Sequence, residues 1–157
     1  MPHISTAPAG ARAHVRDLAN ACILWFADVR GVGAGVGNAS CAACVRLTAG
    51  GPNGPEYRYG HSQAHLLDAN AIVAGGMFNP GNHAERQAHN AAGAGTYGAH
   101  LFVELPPCAG ANGCAVWCAA TIPGINVWWL YPDTATMTAY HAAGTAAQFH
   151  YLNAQLP

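Results

Sequence analysis

The amino-acid sequence predicts an α/β fold in which helices flank a mixed β-sheet. Segments with helical and with extended patterning alternate along the chain, and turns rich in Pro and Gly separate them. The 157 residues are enough for one domain with a full hydrophobic core. Hydrophobic residues make up 52% and charged residues only 8% of the chain, a composition that argues against disorder.

The first half of the chain predicts one helix followed by a β-hairpin. Residues 1–10 are expected to form a loose leader. Apolar residues then recur every three to four positions over residues 11–30, which is the spacing of an amphipathic helix. Residues 41–48 and 56–62 have strand character, and the turn residues of segment 50–55 join them into a hairpin.

The second half alternates between helices and strands. An apolar run at residues 70–78 ends in a break of Asn, Pro and Gly residues at 79–82. The later elements are expected as a helix at 83–92, a strand at 99–105, a helix at 114–122, a strand at 125–131 and an antiparallel return strand at 135–141. For the residues after 141 the pattern is compatible with either a helix or a strand.

Charge disfavours a high-affinity nucleic-acid-binding protein, and hydropathy excludes a membrane-spanning one. The net charge is −1, the six basic residues are all arginines, and they are scattered along the sequence. The broad basic groove of a high-affinity nucleic-acid-binding protein is therefore absent from the pattern. No run approaches the roughly 18 apolar residues of a membrane-spanning helix, and the first residues lack the features of a secretory signal.

Cysteine and histidine residues give the first positive indication of function. Six Cys and nine His are present, and a chain of this length does not need three disulfides for stability. His83-Ala84-Glu85 stands at the start of a predicted helix, and Pro107-Cys108 follows a predicted strand, with Cys114 opening the next helix. Catalytic zinc takes three protein ligands and keeps a fourth position open. One imidazole from His83 and two thiolates, from Cys108 and either Cys114 or Cys118, would meet this requirement for Zn²⁺.

These two segments resemble the zinc-binding motifs of the cytidine-deaminase-like superfamily, in which His-x-Glu is followed by Pro-Cys and a further Cys. Within that superfamily, the run from His83 to Ala88 and the widely spaced cysteines look most like the deaminase domains of bacterial polymorphic toxins. The resemblance implies a three-layer sandwich, a single deaminase domain over residues 1–157, and zinc as the cofactor.

The resemblance also implies roles for individual residues. Glu85 would be the catalytic acid and base, which moves protons between a water molecule and the nucleobase. The Ala84 amide and the backbone at Pro107 would contact the edge of the base. Asn79 or Asn82, just before the motif, would contact the sugar.

The spacing of the cysteines leaves the third ligand open. Five residues separate Cys108 from Cys114, whereas the usual gap in this superfamily is two. Cys118 is the alternative ligand, but we prefer Cys114 because the strand at residue 125 then follows at the expected distance. A closed structural site with both Cys114 and Cys118 is a further alternative, in which Glu85 would have no purpose.

Simpler interpretations exist for several of these residues. Taken alone, Glu85 fits a common acidic residue in the first turn of a helix. Cys41 and Cys44 are interpreted as core residues, because positions three apart in a strand face opposite sides and cannot share a metal. Trp117 or Phe78 could stack on a nucleobase.

The leading hypothesis is therefore deamination of cytosine in nucleic acid, with DNA favoured over RNA. The cytosine preference rests on the predicted antiparallel strand at residues 135–141, which resembles the cytidine-type branch of the superfamily. The alternatives are a free nucleoside or nucleotide deaminase, which fits the near-neutral charge better, and a non-catalytic binding module with a structural zinc. The resemblance implies a secreted effector that acts in the cytoplasm of a target cell and is neutralised by an immunity protein. We also expect the domain to be a monomer.

Overall fold

The computed structural model describes residues 1–31, 37–62, 72–73, 77–78, 83–93, 96–111 and 113–156. The helices within this part of the chain are α1 (Ala9–Gly31), α2 (Ala84–Ala92), α3 (Cys114–Thr121), α4 (Thr134–Ala143) and α5 (Thr145–Gln155). The strands are β1 (Ala42–Leu47), β2 (Tyr57–His61), β3 (Ile72–Val73), β4 (Met77–Phe78), β5 (Tyr97–Val103) and β6 (Asn126–Trp129).

Four strands form a mixed sheet in the order β2-β1-β5-β6. β1 runs antiparallel to both of its neighbours, and β5 runs parallel to β6. β3 and β4 form a separate antiparallel pair within the apolar run expected at residues 70–78. The predicted α/β fold with a mixed sheet flanked by helices is confirmed, and so is the hairpin of β1 and β2.

Helix α1 packs one apolar face on the sheet, as its sequence period predicts. Val15, Leu18, Cys22 and Phe26 are fully buried, and these positions follow one side of the helix. Each large apolar side chain buried in this way contributes roughly 1.5–3 kcal/mol relative to an exposed one. All six cysteines are free. Cys41 and Cys44 belong to the hydrophobic core, as expected for residues that pack rather than bind a metal.

Helix α2 lies unusually close to strand β2. Its inward face consists of Ala84, Ala88 and Ala92, which repeat every four residues and are buried. Opposite them is Gly60, where an added Cβ would come within 2.6 Å of the Gln87 Cβ and still closer to the backbone of Ala84 and Ala88. Small residues on both sides thus bring the helix that carries Glu85 directly onto the sheet.

The expected strand at residues 135–141 is wrong, because this segment forms helix α4. The Asp133 side chain accepts a hydrogen bond from the Thr136 amide and caps the helix at its first turn. Met137 and His141 lie four residues apart and are buried, which places them on one helical face. The threonines of this segment favour a strand. The Asp133 cap and the buried helical face of Met137 and His141 outweigh that preference.

The expected loose leader at residues 1–10 is instead an ordered part of the fold. His3 forms a parallel bridge with Trp129, and the Trp129 amide donates to the Pro2 carbonyl, so the first residues line the outer edge of β6. Ile4 is completely buried. The N-terminal residues therefore occupy the sheet edge at which the return strand was expected.

The residues after α4, for which the sequence left the choice open, form helix α5. None of the helices in the described part of the chain is long and apolar enough to cross a membrane.

Candidate metal centre

Three segments bring a histidine and two cysteines together at one end of the sheet. His83 is the residue before α2, Cys108 lies in the loop after β5, and Cys114 is the first residue of α3. The Nδ1 atom of His83 is 3.3 Å from the Cys108 Sγ and 3.2 Å from the Cys114 Sγ. Residues separated by up to 31 positions thus converge on one point.

The donor set and its spacing fit a zinc ion. The three potential ligand atoms lie within 4.8 Å of one another. In tetrahedral zinc sites, bond lengths of about 2.0–2.3 Å separate ligand atoms by roughly 3.5–3.8 Å, so small shifts would accommodate the ion. Burial, followed by the charge of Arg86, lowers the pKa of His83 and favours the neutral imidazole that binds metals. The group is thus able to hold a metal ion, with Cys108 partly exposed and Cys114 buried.

The loop between the two cysteines folds back on itself, which explains how a five-residue gap still forms one site. The Cys114 amide donates to the Cys108 Sγ at 3.1 Å, and the Ala115 amide donates to the Cys108 carbonyl at 3.2 Å. Gly113 makes this closure sterically feasible. A Cβ at Gly113 would come within 2.6 Å of the Ala109 carbonyl oxygen and still closer to that of Cys108.

Replacing Gly113 with alanine should therefore weaken zinc binding. The added methyl group would force apart the backbone that holds Cys108 against the start of α3. We expect zinc affinity to fall by about 10- to 100-fold or more, since removal of a group that supports metal ligands has an effect of that size. Competition with a zinc chelator would measure the affinity. Gly98→Ala is the matched control, because a Cβ at Gly98 meets no atom within 4 Å and should leave the affinity unchanged.

Cys118, the alternative third ligand, lies outside the metal-binding group found among the described residues. Its side chain is fully buried and belongs to the hydrophobic core. Burial, followed by the nearby Glu85 carboxylate, raises the pKa of Cys118 to about 12. Burial also raises the pKa of Cys114, with Glu85 and Cys108 adding to the effect, even though Cys114 begins a helix. The structure thus places Cys114, and not Cys118, beside His83 and Cys108.

Glu85 is buried next to the metal-binding group. It is only 5% exposed, whereas an acidic residue that merely favours the first turn of a helix would normally lie in solvent. Burial raises the pKa of Glu85, and a hydrogen bond to its own amide and one with the Cys114 side chain act in the opposite direction. His83 occupies the N-cap of α2 and makes no capping bond with its side chain. A residue that only stabilises the start of a helix would not be expected to lie buried beside three potential metal ligands.

The structure describes two of the four residues that were expected to contact the substrate, Ala84 and Pro107. Ala84 is buried in the first turn of α2, where backbone amides lack partners within the helix. Pro107 is partly exposed in the loop next to Cys108. Asn79 and Asn82 lie outside the described residues, and so does the side chain of Phe78.

Glu104 and His141 form a buried polar pair that was not predicted from the sequence. The Glu104 Oε1 is 2.7 Å from the His141 Nε2, and the Glu104 Oε2 accepts from the Ala42 amide at 2.9 Å. The other ring nitrogen of His141 donates to the Asn38 carbonyl at 2.6 Å, and the Glu104 carbonyl accepts from the Tyr131 amide at 2.8 Å. The pair thus ties the start of β1 to the ends of β5 and β6, and the Cys108 loop departs from the end of β5. The sequence offers one indication of this pair, the acidic residue Glu104 at the end of an apolar strand.

Comparison with known protein-family models, with curated proteins and with solved structures gave no match to this chain.

Proposed function

We propose that the protein is a zinc-dependent hydrolase that deaminates cytosine to uracil in nucleic acid, with DNA as the favoured substrate, and that it acts as the effector domain of a bacterial toxin. One observation carries the enzymatic part of this proposal. The buried Glu85 carboxylate lies beside the group of His83, Cys108 and Cys114, whose donor atoms fit zinc. The toxin context and the nucleic-acid substrate rest on the resemblance of the two motifs.

The reaction consumes water and releases ammonia as the exocyclic amine of the base is replaced by a carbonyl oxygen. When bound, zinc would supply a Lewis acid that lowers the pKa of a coordinated water to near neutrality. Glu85 takes a proton from the attacking water, passes it to the ring nitrogen and then assists departure of the amine. The burial of Glu85 keeps this proton transfer away from bulk solvent.

Support for cytosine over adenine is narrower than the sequence indicated. The predicted antiparallel strand that favoured the cytidine-type branch is helix α4, and β5 and β6 run parallel. The two motifs are shared by deaminases of both bases, so cytosine is kept as the first base to test and adenine belongs in the same assay. The deamination chemistry assigned to Glu85 is the same for both bases.

A free nucleoside or nucleotide is the second candidate substrate, and the charge of the chain favours it. The protein has a net charge of −1 and only six basic residues, so it offers few contacts for a phosphate backbone. The hypothesis of a structural zinc in a binding module receives less support. A closed site needs four ligands, and the group formed within the described residues has three.

The proposal is tested by incubating the zinc-loaded protein with single-stranded DNA, duplex DNA, RNA, cytidine and deoxycytidine. We expect cytosine-to-uracil conversion in DNA, measured by sequencing, together with release of ammonia. Turnover of the free nucleosides alone would support the second candidate, and adenine-to-hypoxanthine conversion would change the base. Zinc retention without turnover of any substrate would contradict the proposal. By the same resemblance, we expect a dedicated immunity protein to block the reaction.

A further inference from the structure

The metal-binding group depends on the relative placement of two helices. His83 directly precedes α2, Glu85 lies in the first turn of α2, and α3 begins with Cys114. The loop contacts described above hold Cys108 against Cys114, but they do not involve α2. The packing of α2 on the sheet at Gly60, together with its contacts with α3, therefore sets the distance from His83 to the two thiols before any ion binds.

Trp117 of α3 makes such a contact. The Arg86 guanidinium lies over its indole ring, with 5.0 Å between the Cζ atom and the ring centroid. The His89 imidazole packs edge-on against the same indole at 5.3 Å between centroids. Arg86 and His89 are three residues apart and therefore occupy one side of α2. The indole is held by two successive turns of the helix that carries the catalytic groups.

The contact is anchored on the sheet as well. The His89 Nδ1 is 2.7 Å from the Tyr97 hydroxyl, and Tyr97 is the first residue of β5. Trp117 lies three residues after Cys114, so about 4.5 Å of helix rise separates the indole contact from the metal-binding group. A shift of the indole would therefore be transmitted directly to Cys114.

We propose that Trp117 is a positioning residue of the metal centre, and that its indole, held between Arg86 and His89, sets the placement of His83 and Glu85 relative to Cys108 and Cys114. This inference rests on the metal centre of the proposed function and not on the identity of the substrate. It also assigns the indole a role other than stacking on a nucleobase, because its neighbours are residues of α2.

Replacing Trp117 with leucine tests the proposal through metal binding. Removal of the indole takes away its contacts with Arg86 and His89 but leaves the loop between the cysteines and the packing of α2 on the sheet intact. We expect zinc affinity to fall about 10- to 100-fold, the usual effect of removing a group that orients metal ligands. In the Co²⁺-substituted protein, the thiolate charge-transfer bands should persist, while the d–d bands should change as the imidazole is displaced. Trp117→Phe, which keeps an aromatic ring between the two side chains, should restore most of the affinity.

Trp25→Leu is the matched control, because it also removes a partly buried indole from a helix. Trp25 is on α1 and stacks on Tyr59 at 4.7 Å between centroids, so its loss should lower stability without changing zinc affinity. Equal zinc affinities and equal Co²⁺ spectra for the Trp117→Leu and wild-type proteins would overturn the proposal. If Trp117→Leu does not fold, His89→Ala provides a second test, because His89 contacts the indole and is held on the sheet by Tyr97. Unchanged zinc affinity in His89→Ala would overturn the proposal as well.

Failure of this inference and failure of the proposed function are distinguishable. If the wild-type protein binds zinc but deaminates no substrate, the proposed function is wrong. The zinc affinities and Co²⁺ spectra of the Trp117 variants still decide whether Trp117 positions the metal centre.

Discussion

Replacing Cys114 with alanine is expected to abolish both zinc binding and deamination, whereas the same replacement at Cys118 should leave both in place. The two residues lie one turn apart on α3, and both side chains are fully buried. Of these two cysteines, Cys114 is the one whose sulfur lies next to the His83 imidazole, at 3.2 Å from the Nδ1 atom. Removal of Cys114 leaves two ligands, which are too few to hold zinc in a catalytic geometry.

Cys118→Ala serves as the control for loss of a buried thiol. It removes a core side chain and should cost about 0.5–3 kcal/mol of stability, the usual range for a single substitution. Zinc content by atomic emission, chelator competition and thermal unfolding would separate the two effects. Loss of zinc from Cys118→Ala, with zinc retained in Cys114→Ala, would show that the third ligand has been assigned to the wrong cysteine.

Replacing Glu85 with glutamine is expected to remove catalysis while zinc stays bound. Glutamine keeps the size of the side chain and its hydrogen-bonding capacity but cannot accept and release the transferred proton. General acid–base groups contribute roughly 100- to 10,000-fold to turnover, so the rate should fall by that factor. Because Glu85 is not one of the three grouped ligands, zinc affinity should remain close to that of the wild-type protein.

Glu56→Gln is the matched control for the loss of a carboxylate. Glu56 pairs with Arg58 at 2.8 Å on the partly exposed surface and does not belong to the group of His83, Cys108 and Cys114. Its replacement should leave the rate of deamination unchanged, since exposed ion pairs contribute little. A Glu85→Gln protein with wild-type turnover would exclude Glu85 as the group that transfers protons.

Much of the candidate site could be predicted from the sequence because zinc chemistry limits the residue types and their spacing. His83 and Cys108 stand in short motifs next to element boundaries, and Cys114 opens a helix. The geometry that makes the five-residue gap workable could not be predicted. It depends on backbone hydrogen bonds within the loop and on the close approach at Gly113, neither of which has a periodic signal.

The fold could be predicted where a periodic pattern and strong turn residues coincide, as in α1 and the hairpin of β1 and β2. The errors arose where long-range contacts decide the structure. Helix α4 is set by the Asp133 cap and by burial of His141, whose partner Glu104 is 37 residues away. The first residues are ordered because Ile4 enters the core and His3 pairs with Trp129, at the far end of the chain.

Zinc-dependent deamination by Glu85 is tested most directly with a single-stranded DNA oligonucleotide that contains one cytosine. Its mass is measured after incubation with the zinc-loaded wild-type protein and, separately, with Glu85→Gln. If zinc and Glu85 carry out the deamination, the wild-type protein will give the mass change of cytosine-to-uracil conversion, zinc chelation will abolish it, and Glu85→Gln will give little or none. Conversion that persists in Glu85→Gln or after complete removal of zinc would contradict zinc-dependent deamination by Glu85. So would the absence of conversion by a wild-type protein that binds zinc.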